Sequence, residues 1–220
     1  MKNKKLIILM WVLALLPFLL VALFWGRLPD RIPIHWNFAG EVDNYGSKSF
    51  LWGLCCISPV LALLLQFLPR LDPKKENYRR FQNIYDLVGI LVSCLMLFPI
   101  GITVSSALNP GALNVGRLTM GIISVIFILL GAVMGKIKSN WFMGIRTPWA
   151  LSDPDVWNKT NRLGGWVFFL AGLVTLPLAL FAPEWTAAAA MLTILLVGTV
   201  STYVMSWKWY QDKTEQNKEE

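Results

Sequence analysis

The chain is poor in the residues from which most catalytic and metal centres are built. Its 220 residues include one histidine, His35, and three cysteines. A single imidazole excludes a multi-histidine metal site. Cys55, Cys56 and Cys94 fall in apolar runs without C-x-x-C spacing, so neither a disulfide framework nor a thiolate metal site is expected. They read as small packing residues. Charge is scarce as well. Asp, Glu, Lys and Arg make up 15% of the chain against 55% hydrophobic residues, whereas a soluble domain carries about 25% charged residues. No nucleophile–base pair and no phosphate-cradling glycine loop is recognisable. These absences point away from an enzyme and imply no cofactor. The charge that exists is unbalanced, +7 formally, from 20 Lys and Arg against 13 Asp and Glu. In so apolar a chain the excess reads as membrane topology and not as direct nucleic-acid binding.

What the chain has in quantity is long apolar runs. A helix rises 1.5 Å per residue, so crossing a bilayer core takes about 20 apolar residues. Six stretches qualify: Leu6 to Trp25, Phe50 to Leu68, Leu87 to Leu108, Leu118 to Gly135, Trp166 to Ala182 and Thr186 to Trp207. The fold class is therefore all-α, a polytopic membrane protein whose first partner is the lipid bilayer. Lys2, Lys4 and Lys5 precede a first run too long for a typical signal peptide, and no small-x-small cleavage site follows it, so an uncleaved helix is expected. The six cores carry no Asp, Glu, Lys, Arg or His. A proton-coupled pump normally needs such a group. A small transporter or channel lined by hydroxyls (Thr103, Ser105, Ser106, Thr199, Ser201, Thr202) stays open as the alternative function.

Counting Lys and Arg by connection orients the helices. Alternate segments (the N-terminus, 69–86, 136–165 and the tail 208–220) hold sixteen, and the intervening ones hold four. The heavy side is cytoplasmic, which places both termini inside a multi-pass cell membrane protein. Trp25, Trp52, Trp141, Trp166, Trp185, Trp207 and Trp209 fall near run ends, where indoles anchor. Pro17, Pro59, Pro99 and Pro177 interrupt the runs. Gly131 and Gly135 form a small-xxx-small pair that permits close helix approach.

Information then concentrates in two loops. The outer loop, 26–49, reads as a structured cap. Pro29 and Pro33 hold it extended, and Ile32, Ile34 and Trp36 alternate as in a short strand. Ala39-Gly40 and Asn44-Tyr45-Gly46 read as turns. For His35 three readings stand: a metal site with Asp30, Glu41 and Asp43, a hydrogen-bonded structural histidine, or part of a surface that recognises an extracellular peptide. The inner loop, 136–165, carries a helix start, with Asp153 as cap, Pro154 at the first position and Asp155 at the positive end of the dipole. From Pro154 to Leu163 the spacing predicts a short interfacial helix. Val156, Trp157, Thr160 and Leu163 or Gly164 lie on one face, Asp155 pairs with Lys159 on the other, and Gly164-Gly165 mark a bend into the fifth run. Arg146 is expected to hold Asp153 or Asp155. The alternative role is a docking surface for a cytoplasmic protein, using Trp149, Trp157 and exposed charges.

These loops carry a resemblance. Leu28-Pro29-Asp30-Arg31-Ile32-Pro33-Ile34-His35-Trp36-Asn37, with Gly40, Asp43 and Lys48, is similar to the LP-x-x-IP-x-H signature of an uncharacterised extracellular domain found with the SdpI family. Gly144-Ile145-Arg146-Thr147-Pro148-Trp149-Ala150-Leu151, with Val156-Trp157 and Asn161-Arg162, resembles the G-x-R-T-P-W-T-L…V-W…N-R signature of the SdpI family proper, Ala150 standing where threonine is usual. The resemblance implies immunity against a secreted peptide toxin of the SDP type, and retention of a cytoplasmic repressor of the SdpR type at the membrane when toxin is bound. It matches Arg146, Thr147, Pro148, Trp149, Val156, Trp157, Asn161 and Arg162 to the inner motif, and together with Asp153 and Asp155 these are expected to serve partner docking or a structural role. It matches Leu28, Pro29, Pro33, His35, Gly40 and Asp43 to the outer motif, and Pro29, Pro33, His35, Trp36, Gly40 and Asp43 are expected to serve toxin recognition or a structural role. The expected organisation is a single six-helix membrane domain over residues 1–220. An N-terminal module of about 6–68 carries the outer loop, an SdpI-like module of about 116–207 carries the inner loop, and 208–220 form a cytoplasmic tail.

Overall fold

The computed structural model describes residues 3–37 and 39–219. Lys2, counted among the N-terminal cations, and Phe38 of the outer loop lie outside them. The described chain runs α1 (Lys4–Phe24), β1 (Arg31–Trp36), β2 (Val42–Ser47), α2 (Phe50–Leu71), a 3-10 turn (Lys75–Arg80), α3 (Gln82–Leu108), α4 (Val115–Met134), α5 (Pro148–Ser152), α6 (Pro154–Phe181) and α7 (Glu184–Glu219). All but the short α5 among these α-helices are long and apolar enough to cross a membrane, and they coincide with the six apolar runs. The chain is an all-α polytopic membrane protein.

The helices bury narrow stripes and leave the remaining apolar surface open. In α1 the buried residues are Met10, Ala14, Pro17 and Val21, spaced by four, three and four. Ile8, Val12, Leu15, Leu19 and Leu23 on the other faces are exposed. Such a pattern fails in water and suits lipid, where apolar side chains need no protein cover. Pro17, Pro59, Pro99 and Pro177 sit inside continuous helices, so they do not break the spans. Hydroxyls within the spans turn back on their own helix: Ser93 donates to the Gly89 carbonyl at 3.1 Å, Thr175 to Ala171 at 2.7 Å and Thr202 to Gly198 at 2.7 Å. Cys55 is buried, but Cys56 and Cys94 are exposed. Adjacent residues on a helix diverge by about 100°, so Cys56 cannot share the packed face of Cys55.

The chain forms two compact units. The first holds residues 1–67 and 85–119. Here the outer loop is an antiparallel hairpin in which Arg31 faces Ser47, Ile32 faces Gly46 and Pro33 faces Tyr45. Asn44, Tyr45 and Gly46 belong to β2 and are not the turn that their composition suggested. A Cβ on Gly46 would lie 2.9 Å from Ile34 Cδ1, so the glycine leaves room for that side chain. Leu28 and Ile32 of the loop are buried in one cluster with Val21, Leu51, Cys55, Ile100 and Val104 from α1, α2 and α3. The hairpin is thus fastened to the helix ends as a cap.

The second unit holds residues 68–84 and 120–220. Its spine is a backbone-to-backbone crossing of α4 and α6. A methyl group built on Gly131 would lie 2.4 Å from the Phe169 nitrogen, and one on Gly172 would lie 2.3 Å from the Ser124 carbonyl oxygen. The Ser124 and Thr175 hydroxyls hydrogen-bond across the same contact at 2.8 Å. A short helix, α5, precedes the fifth span, but the segment from Pro154 to Leu163 joins that span with no bend. Gly164 and Gly165 are selected for space, against Ile145 and Gly131, and their helix continues through them. Helix α7 runs 36 residues, about 54 Å at 1.5 Å per residue. It exceeds a bilayer core and turns most of the expected tail into a helical extension.

Gly172→Ala is expected to destabilise the full-length protein by about 1–3 kcal/mol, since the added methyl overpacks the crossing. Gly121→Ala on α4 meets open space and is expected to be neutral or stabilising by up to about 1 kcal/mol through helix propensity. Thermal unfolding of the two variants in detergent checks the pair.

Candidate functional site

The loop from Lys136 to Asp153 has no regular structure apart from α5, yet Ile137, Ser139, Asn140, Thr147 and Ala150 within it are buried. Backbone polar groups removed from water need partners, and here side chains supply them. Asp72, 2% exposed, accepts from the Tyr78 hydroxyl and the Trp141 backbone N–H, both at 2.8 Å, and from the Lys74 backbone N–H at 2.7 Å. Asn140 accepts on its carbonyl oxygen from the backbone N–H groups of Phe142 (2.9 Å) and Met143 (2.7 Å), and its amide donates to the carbonyls of Lys138 and Met143. Asn161 accepts from Ile145 N–H at 2.8 Å and donates to the carbonyls of Ile145 and Trp157. The Trp157 indole donates to the Ile137 carbonyl at 2.8 Å. Gly144 has φ +100°, and a side chain there would strike the Asn161 amide. The G-I-R-T-P-W run therefore starts with glycine for two reasons at once, conformation and space.

The rest of the inner motif divides by exposure. Thr147 is extended (φ −68°, ψ 154°) and caps α5, accepting from Ala150 N–H at 3.0 Å. Its hydroxyl also meets Ser206 of α7 at 2.6 Å, and Thr160 donates to the same serine at 3.0 Å. Pro148 opens α5. Trp149 packs edge-on against Tyr203, ring centroids 5.0 Å apart. Val156, Trp157, Thr160 and Gly164 are buried in α6, as the spacing predicted, and Asn161, which the spacing did not include, is buried with them. Arg146 and Arg162 are exposed.

Two charge pairings differ from expectation. Arg146 donates to the Trp141 carbonyl and does not reach the aspartates. Asp153 and Asp155 both pair with Lys213 of α7, at 2.8 Å and 2.7 Å, so Asp155 does not depend on Lys159. A lysine 58 residues further on carries no local signal in the sequence. Asp153 caps α6, accepting from the N–H groups of Asp155 and Val156. Burial alone would raise its pKa. The Lys213 ammonium and the two backbone donors outweigh that and hold it below the ordinary carboxylate value. Asp72, Lys74, Tyr78 and Asn140 were also missed. Lys74 donates to the Ser139 hydroxyl and the Leu151 carbonyl. The only hint was a polar run, Leu71-Asp72-Pro73-Lys74, directly after a span.

In the hairpin unit, Pro29, Pro33, Trp36 and Gly40 line one groove of about 370 Å³, with Arg31 and Glu41 among its polar groups. Gly40 turns the hairpin at φ +77°, hard against the Gly116 backbone. His35 and Asp43 are absent from this groove. They form a 2.6 Å hydrogen-bonded pair, with side chains 67% and 42% exposed. The structure thus gives His35 the bonded role. Among the described residues no group of three or more His, Cys, Asp and Glu could hold a metal.

Residues 136–206 match the model of the SdpI/YfhL protein family, and residues 12–58 match that of a domain of unknown function (DUF1648). The chain is 26% identical over 204 residues to the Immunity protein SdpI of Bacillus subtilis (strain 168), covering 91% of this chain and 93% of that protein. The chain is thus similar to the SdpI family, over residues 136–206 by the family match and over nearly its whole length by this relative. It is a multi-pass cell-membrane protein. No solved structure matches it. The SdpI/YfhL match begins at Lys136 and ends at Ser206, the serine that Thr147 and Thr160 hold, so it contains most of the hydrogen-bonded loop described above.

Asn161→Ala strands the Ile145 N–H in a buried site. A loss of about 1–3 kcal/mol is expected, read by thermal unfolding. The Lys213 clamp carries a pH dependence. Because the folded pKa of Asp153 is lowered, its stabilising contribution is complete above the unfolded carboxylate pKa and is lost as pH falls through the folded one. Protease cleavage within 208–219 is therefore expected to rise on acidification through the carboxylate range. In Lys213→Gln it is expected to be raised already at neutral pH.

Proposed function

We propose that this protein is an immunity protein that protects the cell membrane against a secreted peptide toxin of the SDP type. The observation that carries the reading is the near full-length match to the Immunity protein SdpI. The excess of Lys and Arg in alternate segments supports an orientation with both termini inside, the hairpin outside and the loop 136–165 in the cytoplasm. In that frame the hairpin groove is the toxin site. Pro29, Pro33 and Trp36 offer apolar walls, while Arg31 and Glu41 offer a charge of each sign, a lining that suits an amphipathic peptide. The proline-stiffened strand fixes this wall in advance, which lowers the ordering cost of binding.

On the inner side the buried motif residues, Thr147, Trp157 and Asn161, hold the loop. The exposed ones, Arg146 and Arg162, are left for contact. With Trp141 and Phe142, 50% and 39% exposed, Arg146 forms an aromatic and basic surface for a cytoplasmic repressor of the SdpR type. Sequestration follows if toxin binding favours the loop arrangement that the repressor prefers, which requires differential contacts in two states.

The test is survival. The chain is expressed in a toxin-sensitive Bacillus strain lacking its own immunity gene and challenged with SDP-type peptide, and membrane potential and viability are followed. Wild type is expected to keep the potential. Trp36→Ala is expected to lose protection at equal membrane level, and Arg146→Ala to keep protection while losing repressor recruitment. Collapse of the potential with wild type present at normal level overturns the immunity reading.

A further inference from the structure

A second groove, of about 460 Å³, lies in the other unit on the α4–α6 crossing and is unrelated to the hairpin. It is lined by Gly131, Gly135, Gly165, Trp166 and Phe169, with Lys136 and Arg162. Its origin is the crossing itself. The glycines that let the two backbones touch leave no side chains to fill the surface beside the contact. Phe169 and Trp166, their rings edge to face at 6.0 Å, stand along it. The groove is apolar along the helices and basic at one end, where Lys136 follows the last turn of α4 and Arg162 projects from α6. Both cations are exposed, and neither has a salt bridge among the described residues. Trp166 is 57% exposed, and an exposed indole near the end of an apolar run is favoured at the membrane–water boundary.

We propose that this groove is a binding site for an anionic glycerophospholipid, with one acyl chain along the glycine surface and the phosphate between Lys136 and Arg162. Three features select that occupant. The apolar length opens toward the bilayer, so a chain enters it without crossing water. The two cations sit where an apolar run meets the interface, the depth of a headgroup phosphate. Their charge is left uncompensated by the protein, and basic pockets between spans attract anionic headgroups for that reason. A soluble anion would satisfy the cations but leave the apolar floor uncovered. A zwitterionic lipid would cover the floor but bring its own cation to the mouth. The site needs nothing from the immunity reading, and its test does not use toxin.

The experiment is native mass spectrometry of the full-length protein in nonionic detergent, titrated separately with phosphatidylglycerol, phosphatidylcholine and inorganic phosphate. Phosphatidylglycerol is expected to be retained at least about tenfold more tightly than phosphatidylcholine. The double variant Lys136→Gln/Arg162→Gln is expected to lose about 10- to 30-fold in phosphatidylglycerol affinity, from roughly one phosphate contact per cation. Lys75→Gln/Lys208→Gln, which removes the same charge from residues that do not line the groove, is expected to change it less than about twofold, since exposed charges away from the phosphate are screened. Ala132 also lines the groove, so Ala132→Phe keeps both cations and fills it, and is expected to weaken binding as well. Equal retention of the two lipids, equal losses in the two double variants, unchanged binding in Ala132→Phe, or displacement of phosphatidylglycerol by phosphate alone each overturns the proposal.

Discussion

A carboxamide in a helix does the central work of the SdpI-type unit. Asn161 projects from α6 and offers an acceptor and donors to the backbone of Ile145. It takes the place that a neighbouring strand would occupy. Without it the loop would have to keep its peptide groups in water and could not lie over the buried ends of α4 and α6. The other anchors depend on that placement. Trp157 reaches Ile137, Asn140 folds the residues beside it, and Asp72 fixes Trp141 from outside the loop. Each is a polar group buried with its partners supplied, which is the condition under which such burial is tolerated. The loop is irregular in backbone, and side chains supply partners at Ile137, Lys138, Trp141, Phe142, Met143 and Ile145.

That division explains why some of the molecule was legible and some was not. Six spans could be read because lipid imposes a long, uniform requirement that local composition reports. The helix start at Asp153-Pro154 was readable because capping involves neighbours in sequence. Gly164-Gly165 was misread because a glycine pair signals a bend or a close contact equally well, and only the presence of Gly131 opposite decides between them. Asn44-Tyr45-Gly46 was misread for a similar reason: the glycine makes room for Ile34 across the hairpin and turns nothing. The charge pairs failed most plainly. Arg146 and the two aspartates stand close in sequence, but Lys213 comes from the far end of α7, and nothing local announces it.

The motif residues of the family also acquire distinct meanings. Gly144, Thr147, Trp157 and Asn161 are occupied in holding the loop, so their presence in the signature reports architecture. Arg146 and Arg162 share the signature but spend little of their capacity inside the protein. The same contrast holds in the hairpin. Gly40 and Pro33 shape it, Trp36 faces its groove, and His35 with Asp43 closes a pair on the surface. A signature so composed combines a folding instruction with a small number of available contact groups.

The distances along the chain between the anchors have a consequence for biosynthesis. Thr147 meets Ser206 across 59 residues, Lys213 meets Asp155 across 58, and Lys74 meets the Leu151 carbonyl across 77. A chain made from its N-terminus completes the first of these contacts late, after the sixth span has left the ribosome. Until then Thr147 and Thr160 lack their serine, and the start of α6 lacks its lysine. The loop that bears the family signature therefore matures last, and a polypeptide that stops short of Ser206 holds the signature in sequence without the shape that gives it meaning.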